Sequence, residues 1–176
     1  MGIRGNLYVW IENFLRDRNQ RVQINGVFST WKKVTSGVPQ GSVLGPVLFL
    51  IFINDLPEAL DCTLKSFADD TKLYSIIKRP QDEIKLQDNI FEACEWANKW
   101  QMIFNIKKCK TMHIGPTEPS EYFMKDKDGN VQKIQQVNNE KDLGVIFDSY
   151  LKFDKHISTQ INIANINLGL MSHFFT

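Results

Sequence analysis

The chain of 176 residues has little cysteine and almost no net charge. Its three cysteines, Cys62, Cys94 and Cys109, are far apart and odd in number. This argues against a disulfide framework, no zinc-binding spacing is present, and a reduced, intracellular environment is expected. The N-terminus also lacks the pattern of a signal peptide, so secretion is not expected. A formal net charge of +1 is not the basic excess typical of nucleic-acid-binding domains, although basic residues can still cluster locally.

Long hydrophobic runs and repeats are also missing. The longest apolar run, Val43 to Ile53, is too short to span a bilayer and contains Pro46, so it predicts a buried helix that Pro57 helps to end. No membrane association is therefore expected. With 43% hydrophobic and 23% charged residues, the composition is that of an ordinary globular domain.

Helix-like and strand-like patterns are both present along the chain, and an α+β fold is expected. Asn6 is expected to cap a first helix, Asn25-Gly26 to turn a hairpin, and Pro80 to open a long helix. The remaining expectations are a strand from Ile103 to Ile114, a hairpin from Tyr122–Lys125 to Val131–Ile134, a strand from Leu143 to Phe147, and a helix from Asp154 with an apolar face ending at Phe175.

Two adjacent carboxylates, Asp69 and Asp70, interrupt a strand-like stretch and are expected at the tip of a tight hairpin. Carboxylates on a rigid turn are hard oxygen ligands for Mg²⁺. Two such ions, about 4 Å apart, are a common device for phosphoryl transfer. The pair therefore predicts a metal-dependent nucleotidyl transfer site. Taken alone, an Asp-Asp pair is more often an ordinary solvated turn.

A loop rich in glycine and proline precedes the apolar helix. Gly37 and Gly41 allow the backbone to approach a substrate closely, Pro39 stiffens the loop, and Gln40 offers an amide donor and acceptor. The alternative is a plain helix entry in which Ser42 is the N-cap.

Two further segments are candidates for contacts with phosphate or nucleic acid. Lys108 is expected near a strand end, where it could meet phosphate charge, although a solvated lysine is the simpler interpretation. Gly144, next to Leu143, permits close backbone approach along a strand, although this strand can equally be part of an ordinary core.

These motifs occur in one order: Gly37-Val38-Pro39-Gln40-Gly41-Ser42-Val43-Leu44-Gly45-Pro46, Phe67-Ala68-Asp69-Asp70, Asn105-x-x-Lys108-Cys109 and Leu143-Gly144-Val145. In this order they closely resemble the reverse transcriptase of non-LTR, LINE-type retrotransposons of the jockey and CR1 kind. The resemblance runs from about Gly2 to Phe175. Phe67 stands where related enzymes often carry tyrosine, a change that keeps the ring and loses a hydroxyl.

The resemblance implies a partial right-hand polymerase palm, an antiparallel sheet packed on helices, at residues 1–150 and the start of the thumb at 151–176. It implies that Asp69 binds catalytic Mg²⁺, with Asp70 in support, and that Lys108 lies near the nucleotide phosphates. It places Gly37, Pro39, Gln40, Gly41 and Ser42 near the incoming nucleotide and template, and Leu143 and Gly144 at the primer end. The implied partners are an RNA template, a DNA primer and dNTPs, and the implied compartment is the nucleus or the cytoplasm.

The family also uses another aspartate on a strand upstream of the first helix, and these 176 residues do not contain it. Asp17, Asp55 and Asp61 do not stand on a suitable apolar strand. We therefore expect the chain alone to be inactive, and we expect an exposed sheet edge to make it marginally stable or aggregation-prone. Two alternatives stay open: a non-catalytic remnant that binds nucleic acid or protein, and a retrotransposon fragment with no selected role.

Overall fold

The chain folds into two compact units whose sequences interleave. The computed structural model describes residues 2–174, with side chains as far as Met171. The first unit comprises Met1–Pro57 and Lys65–Lys72, and the second comprises Glu58–Leu64 and Leu73–Thr176. The chain mixes helices and strands, so the predicted α+β class is confirmed.

The first unit begins with helix α1, Gly5–Leu15. The helix was predicted, but its predicted cap is wrong, because Arg4 is the extended residue before the helix and Asn6 lies inside the first turn. Four short strands follow: β1 Asn19–Gln20, β2 Gln23–Ile24, β3 Val27–Phe28 and β4 Lys32–Lys33. The turn between β2 and β3 is Asn25-Gly26, with φ of 49° and 82°, so the predicted hairpin is confirmed.

Helix α2, Leu44–Phe52, corresponds to the long apolar run. The prediction of a buried helix is wrong: of its nine residues, all described, Gly45 alone is buried. The described part of the first unit supplies α1 and short hairpins, and these leave most of the helix surface open. Pro57 does not end the helix either, because it lies in a 3-10 turn, Leu56–Ala59, beyond the C-cap Ile53.

A hairpin joins the two units along the chain, with β5 at Thr63–Phe67 and β6 at Asp70–Tyr74. This confirms the hairpin predicted around the two aspartates. Asp69 lies in the connecting turn, and Asp70 is the first residue of the returning strand.

The second unit is organised around helix α3, Pro80–Lys99. Pro80 opens the helix, and the Asp82 carboxylate accepts hydrogen bonds from the N–H groups of Lys78 (3.0 Å) and Arg79 (2.9 Å). The remaining elements are β7 Lys110–Thr111, β8 Phe123–Lys125, β9 Val131–Lys133, β10 Gln135–Gln136, β11 Asn139–Asp142, β12 Val145–Asp148 and α4 Asp154–Phe174. β8 pairs with β9 and β11 with β12, both antiparallel, whereas β7 and β10 are parallel.

The core of the second unit lies where α3 packs on the β8–β9 hairpin. Ile90 and Cys94 of α3 form a buried cluster with Tyr122, Met124 and Ile134. Ile90, Cys94 and Ala97 of α3 are buried, whereas Ile84 and Trp100 are exposed near the two helix ends.

The prediction of a strand from Ile103 to Ile114 is mostly wrong, because only Lys110 and Thr111, which form β7, are in a strand. The carbonyl of Asn105 accepts hydrogen bonds from the N–H groups of Lys108 (2.9 Å) and Cys109 (3.2 Å). This turn interrupts the extended backbone that the prediction required.

Helix α4 begins at Asp154 as predicted, and the side chains of its expected apolar face, among them Ile157, Ile161, Leu168 and Met171, are exposed. Phe175, expected at the end of this face, lies outside the described residues. Among the helices within residues 2–174, none has the length and apolar character needed to cross a membrane.

Candidate functional site

The aspartate turn is tight and strained at one residue. Ala68 has φ of 52°, a left-handed conformation that side chains with a Cβ rarely adopt. Behind it, the hydroxyls of Ser66 and Thr71 lie 3.4 Å apart across the two strands. The turn therefore reverses the chain between Phe67 and Asp70 with two residues, which fixes the backbone that carries both carboxylates.

Both carboxylates face solvent and are chemically available. Asp69 and Asp70 are exposed, and neither carboxylate takes part in a hydrogen bond or ion pair with another described residue. Free carboxylate oxygens on a defined backbone are suited to a hard cation such as Mg²⁺, which commonly takes one or two protein carboxylates together with substrate phosphates. Within the described part of the chain, no group of three or more His, Cys, Asp or Glu side chains is close enough to hold a metal by itself.

The loop Gly37–Ser42 has two glycines in the left-handed region, Gly37 with φ of 78° and Gly41 with φ of 79°. A Cβ at either position would meet no atom within 4 Å, so the backbone there is open to an approaching molecule. Between them, Gln40 is exposed, as the expected role in substrate contact requires.

Ser42 ties this loop to the start of α2. Its hydroxyl donates to the carbonyl of Pro39 (2.7 Å) and accepts from the N–H of Gly45 (3.0 Å). The hydroxyl therefore performs the helix-entry role that the simpler interpretation gave it, one residue before the geometric N-cap Val43. A Cβ on the buried Gly45 would lie 3.1 Å from the Pro39 carbonyl oxygen, so the loop packs closely on the helix.

Lys108 lies in the turn that precedes β7 rather than at the end of a long strand. Its side chain is exposed, and its amine makes no hydrogen bond or ion pair with another described residue. The turn is braced by the Cys109 thiol, which contacts the Asn105 carbonyl at 3.4 Å. Because the Lys108 amine has no ion pair with a described residue, it can bind a phosphate without first breaking one.

Leu143 and Gly144 form the turn between β11 and β12, where a strand was expected. Their φ values of 44° and 90° give the two left-handed residues of a tight hairpin turn. Leu143 is exposed. The strand itself begins at Val145, so these two residues present a loop tip rather than a strand surface.

The predicted site residues are divided between the two units. The first unit contains Asp69, Asp70 and the loop from Gly37 to Ser42, and the second contains Lys108, Leu143 and Gly144. Most of these residues are exposed, whereas Pro39 and Ser42 are half-buried.

Sequence reasoning missed Asn89, the buried polar residue of α3. Asn89 is 5% exposed, and its side-chain oxygen accepts from the N–H groups of Asp61 (2.6 Å) and Cys62 (3.1 Å). Its amide donates to the Lys85 carbonyl (2.7 Å). Asn89 thus holds the segment that leads directly into β5 of the aspartate hairpin. Its place four residues before Ala93, on the apolar face of the helix, is the signal that could have revealed it.

The three free thiols do not add a nucleophile to this site. Burial raises the pKa of the Cys62, Cys94 and Cys109 thiols, so the reactive thiolate is disfavoured at each. The chemistry that the described residues support is therefore that of carboxylates and amines.

Comparisons with known proteins place the chain in a family. The family model for reverse transcriptase (RNA-dependent DNA polymerase) matches residues 1–147. The RNA-directed DNA polymerase from mobile element jockey of Drosophila melanogaster is 30% identical over 164 residues, 86% of this chain. The polymerase of the same name from Drosophila funebris is 32% identical over 168 residues, 87% of this chain.

The probable RNA-directed DNA polymerase from transposon X-element of Drosophila melanogaster is 31% identical over 159 residues, 84% of this chain. The chain spans 17% of the length of each of these relatives. No solved structure matches it. Because the family model covers most of the 176 residues, the chain belongs to the reverse transcriptase family.

Proposed function

We propose that this chain is the segment of an RNA-directed DNA polymerase that carries the catalytic aspartate turn. In the complete enzyme it would add dNTPs to a DNA primer on an RNA template. The observation that carries the proposal is the pair Asp69-Asp70, which lies at the tip of a tight hairpin with both carboxylates exposed and without hydrogen bonds to other described residues. In the same unit lies the open loop from Gly37 to Ser42.

The residues present fit part of a magnesium site. Asp69 and Asp70 supply carboxylate oxygens, the ligand type that Mg²⁺ prefers. When bound there, Mg²⁺ would supply the charge stabilisation of two-metal nucleotidyl transfer. By resemblance to the family, Asp69, which lies in the turn, would be the principal ligand, and Asp70, the first residue of β6, would support it.

The other site residues would act on substrates. Gln40 and the open glycine backbone beside it would contact the incoming nucleotide and the template, and Lys108 would neutralise nucleotide phosphates. The turn Leu143-Gly144 would meet the primer end. Residues 1–150 would then form part of a polymerase palm, and 151–176 would begin the thumb.

The 176-residue chain by itself is proposed to be inactive. Two carboxylates do not complete a two-metal site, and the described residues offer no cluster of three. The purified chain, incubated with Mg²⁺, primed RNA template and dNTPs, should give no extension. Extended primer would contradict this part of the proposal.

A chimera tests the function itself. In it, this chain replaces the matching segment of the Drosophila melanogaster jockey polymerase. Asp69→Asn in an active chimera should lower primer extension by more than about 100-fold, because loss of an outer-shell metal partner alone costs 10- to 100-fold. Asp88→Asn, an exposed carboxylate on α3, is the matched control and should leave extension unchanged.

Two results would reject catalysis by these residues. One is extension by the Asp69→Asn chimera at the level of the control. The other is an inactive chimera that still retains primer–template, which would favour the non-catalytic binding alternative.

A further inference from the structure

A surface of the first unit combines a cation with two exposed aromatic rings. The guanidinium carbon of Arg21 lies 3.7 Å from the ring centroid of Phe28 and 4.6 Å from that of Trp31. Phe28 is 47% exposed and Trp31 is 61% exposed, so much of both rings stays open to solvent. We call these three residues the aromatic platform.

The double hairpin built from β1 to β4 fixes the aromatic platform. The outer ladder pairs Asn19 with Lys33, and the inner ladder pairs Gln23 with Phe28. Arg21 lies between the two ladders, on the same face as Asn19 and Gln23 because strand residues two apart share a face. Cross-strand partners share a face as well, so Lys33 belongs to the surface of the platform.

The positive charge around the aromatic platform is largely uncompensated. Residues 16–33 contain five cations and one anion, whereas the whole chain carries a net charge of only +1. Arg21 and Lys32 make no ion pair with a described carboxylate, and Arg18 donates to the backbone carbonyls of Leu15 and Gly37. Two of the five cations approach an acid: Arg16 pairs with Glu12, and the Lys33 amine lies 3.6 Å from the Asp17 carboxylate.

We propose that the aromatic platform binds single-stranded nucleic acid, with bases stacked on Trp31 and Phe28 and phosphates held by Arg21 and Lys33. Aromatic rings beside a cationic path are the general means of holding single strands without sequence preference. The uncompensated charge favours a polyanion over a neutral protein surface, and Arg21 keeps the two rings preorganised through cation–π contact. This inference rests on the proposed function, because it assigns a strand-binding surface to the same polymerase segment.

The test is binding of the 176-residue chain to a labelled oligonucleotide of about 12 nucleotides, as DNA and as RNA, over a salt series. Trp31→Ala should weaken binding by about 5- to 150-fold, which corresponds to the loss of one stacked base. It should leave the slope of log K against log salt unchanged. Arg21→Gln should instead lower the magnitude of that slope by about 0.7, the value for one phosphate contact on a single strand.

Two further variants separate stacking from folding. Trp31→Phe keeps an aromatic ring, so it should retain most of the affinity but lose the quenching of tryptophan fluorescence that stacking on Trp31 produces. Trp10→Ala removes a tryptophan of similar exposure, 53%, from α1 of the same unit and should bind like the unchanged chain.

Equal binding by Trp31→Ala and Trp10→Ala would overturn the platform. Failure of the unchanged chain to bind either oligonucleotide at low salt would also overturn the proposal. The aromatic platform would then be a surface for contact with a protein. Because the readouts are affinity and salt slope, these results stay distinct from the primer extension that tests the proposed function.

Discussion

Asn89→Ala should destabilise the second unit strongly, because Asn89 is a buried residue whose side chain makes three hydrogen bonds to the backbone. Its side-chain oxygen accepts two backbone hydrogen bonds, from Asp61 at 2.6 Å and Cys62 at 3.1 Å, and its amide satisfies the Lys85 carbonyl. Alanine removes all three hydrogen bonds and leaves a small cavity, because Asn89 is only 5% exposed.

The size of the destabilisation depends on whether water can reach the backbone N–H groups of Asp61 and Cys62 after the substitution. Asp61 is exposed, so its N–H can bond to water and the loss there is about 0.5 to 1 kcal/mol. Cys62 is half-buried, and its N–H left unsatisfied costs about 1 to 2 kcal/mol. The free energy of unfolding should therefore fall by about 1.5 to 3 kcal/mol. With a urea m value of about 2 kcal/mol/M, the midpoint falls by about 0.75 to 1.5 M.

Urea unfolding followed by tryptophan fluorescence measures this change, because Trp96 is buried on the same helix. Asp88→Ala is the matched control, since Asp88 is the exposed neighbour on α3 and its loss should cost less than about 0.5 kcal/mol. If Asn89→Ala and Asp88→Ala unfold within about 0.5 kcal/mol of each other, Asn89 does not anchor the segment before β5, and the argument from its hydrogen bonds fails.

Three other substitutions probe local geometry. Ala68→Val should destabilise the chain by about 1 kcal/mol, because a branched side chain is forced to φ of 52°, whereas Ala68→Gly should be neutral or stabilising in the same urea assay. Gly45→Ala should cost about 1 to 3 kcal/mol, since its Cβ would lie 3.1 Å from the Pro39 carbonyl oxygen; an unchanged urea midpoint would contradict this. A hydrogen bond from the N–H of Phe153 (2.7 Å) leads the interactions that lower the pKa of Asp148. Its stabilisation is therefore complete above about pH 4 and lost as pH falls through the lowered folded pKa, and Asp148→Asn should flatten this acid limb in pH-dependent melting.

Local turn chemistry explains which elements could be predicted from the sequence. Asn25-Gly26 adopts the positive φ values that these residues tolerate, and Pro80 opens a helix where its fixed φ and missing N–H cost nothing. The aspartate hairpin was predictable for a similar reason, because strand-forming residues flank a short polar turn.

Elements that depend on distant contacts could not be predicted in this way. An unbroken apolar run does not show which of its faces is covered, so α2 was expected to be buried and is largely exposed. The stretch from Ile103 to Ile114 was expected to be a strand around a polar centre, but the Asn105 carbonyl closes a turn there instead. Asn89 acts on Asp61 across 28 residues, and only the folded chain brings these two together.

The residues proposed for catalysis, Asp69 and Asp70, differ from Asn89, the residue that stabilises the segment before their hairpin. The carboxylates of Asp69 and Asp70 make no hydrogen bonds or ion pairs with described residues, so the backbone of the hairpin alone holds them in place. Asn89 has the opposite character: it is buried, fully hydrogen-bonded and without access to substrate. Loss of an exposed carboxylate should therefore leave the urea midpoint unchanged while it removes catalysis from an active chimera. Loss of Asn89 should lower the midpoint first and activity only as a consequence. If the urea midpoint of Asp69→Asn were much lower than that of the unchanged chain, the carboxylate would support the fold. Its assignment as a free metal ligand would then be wrong.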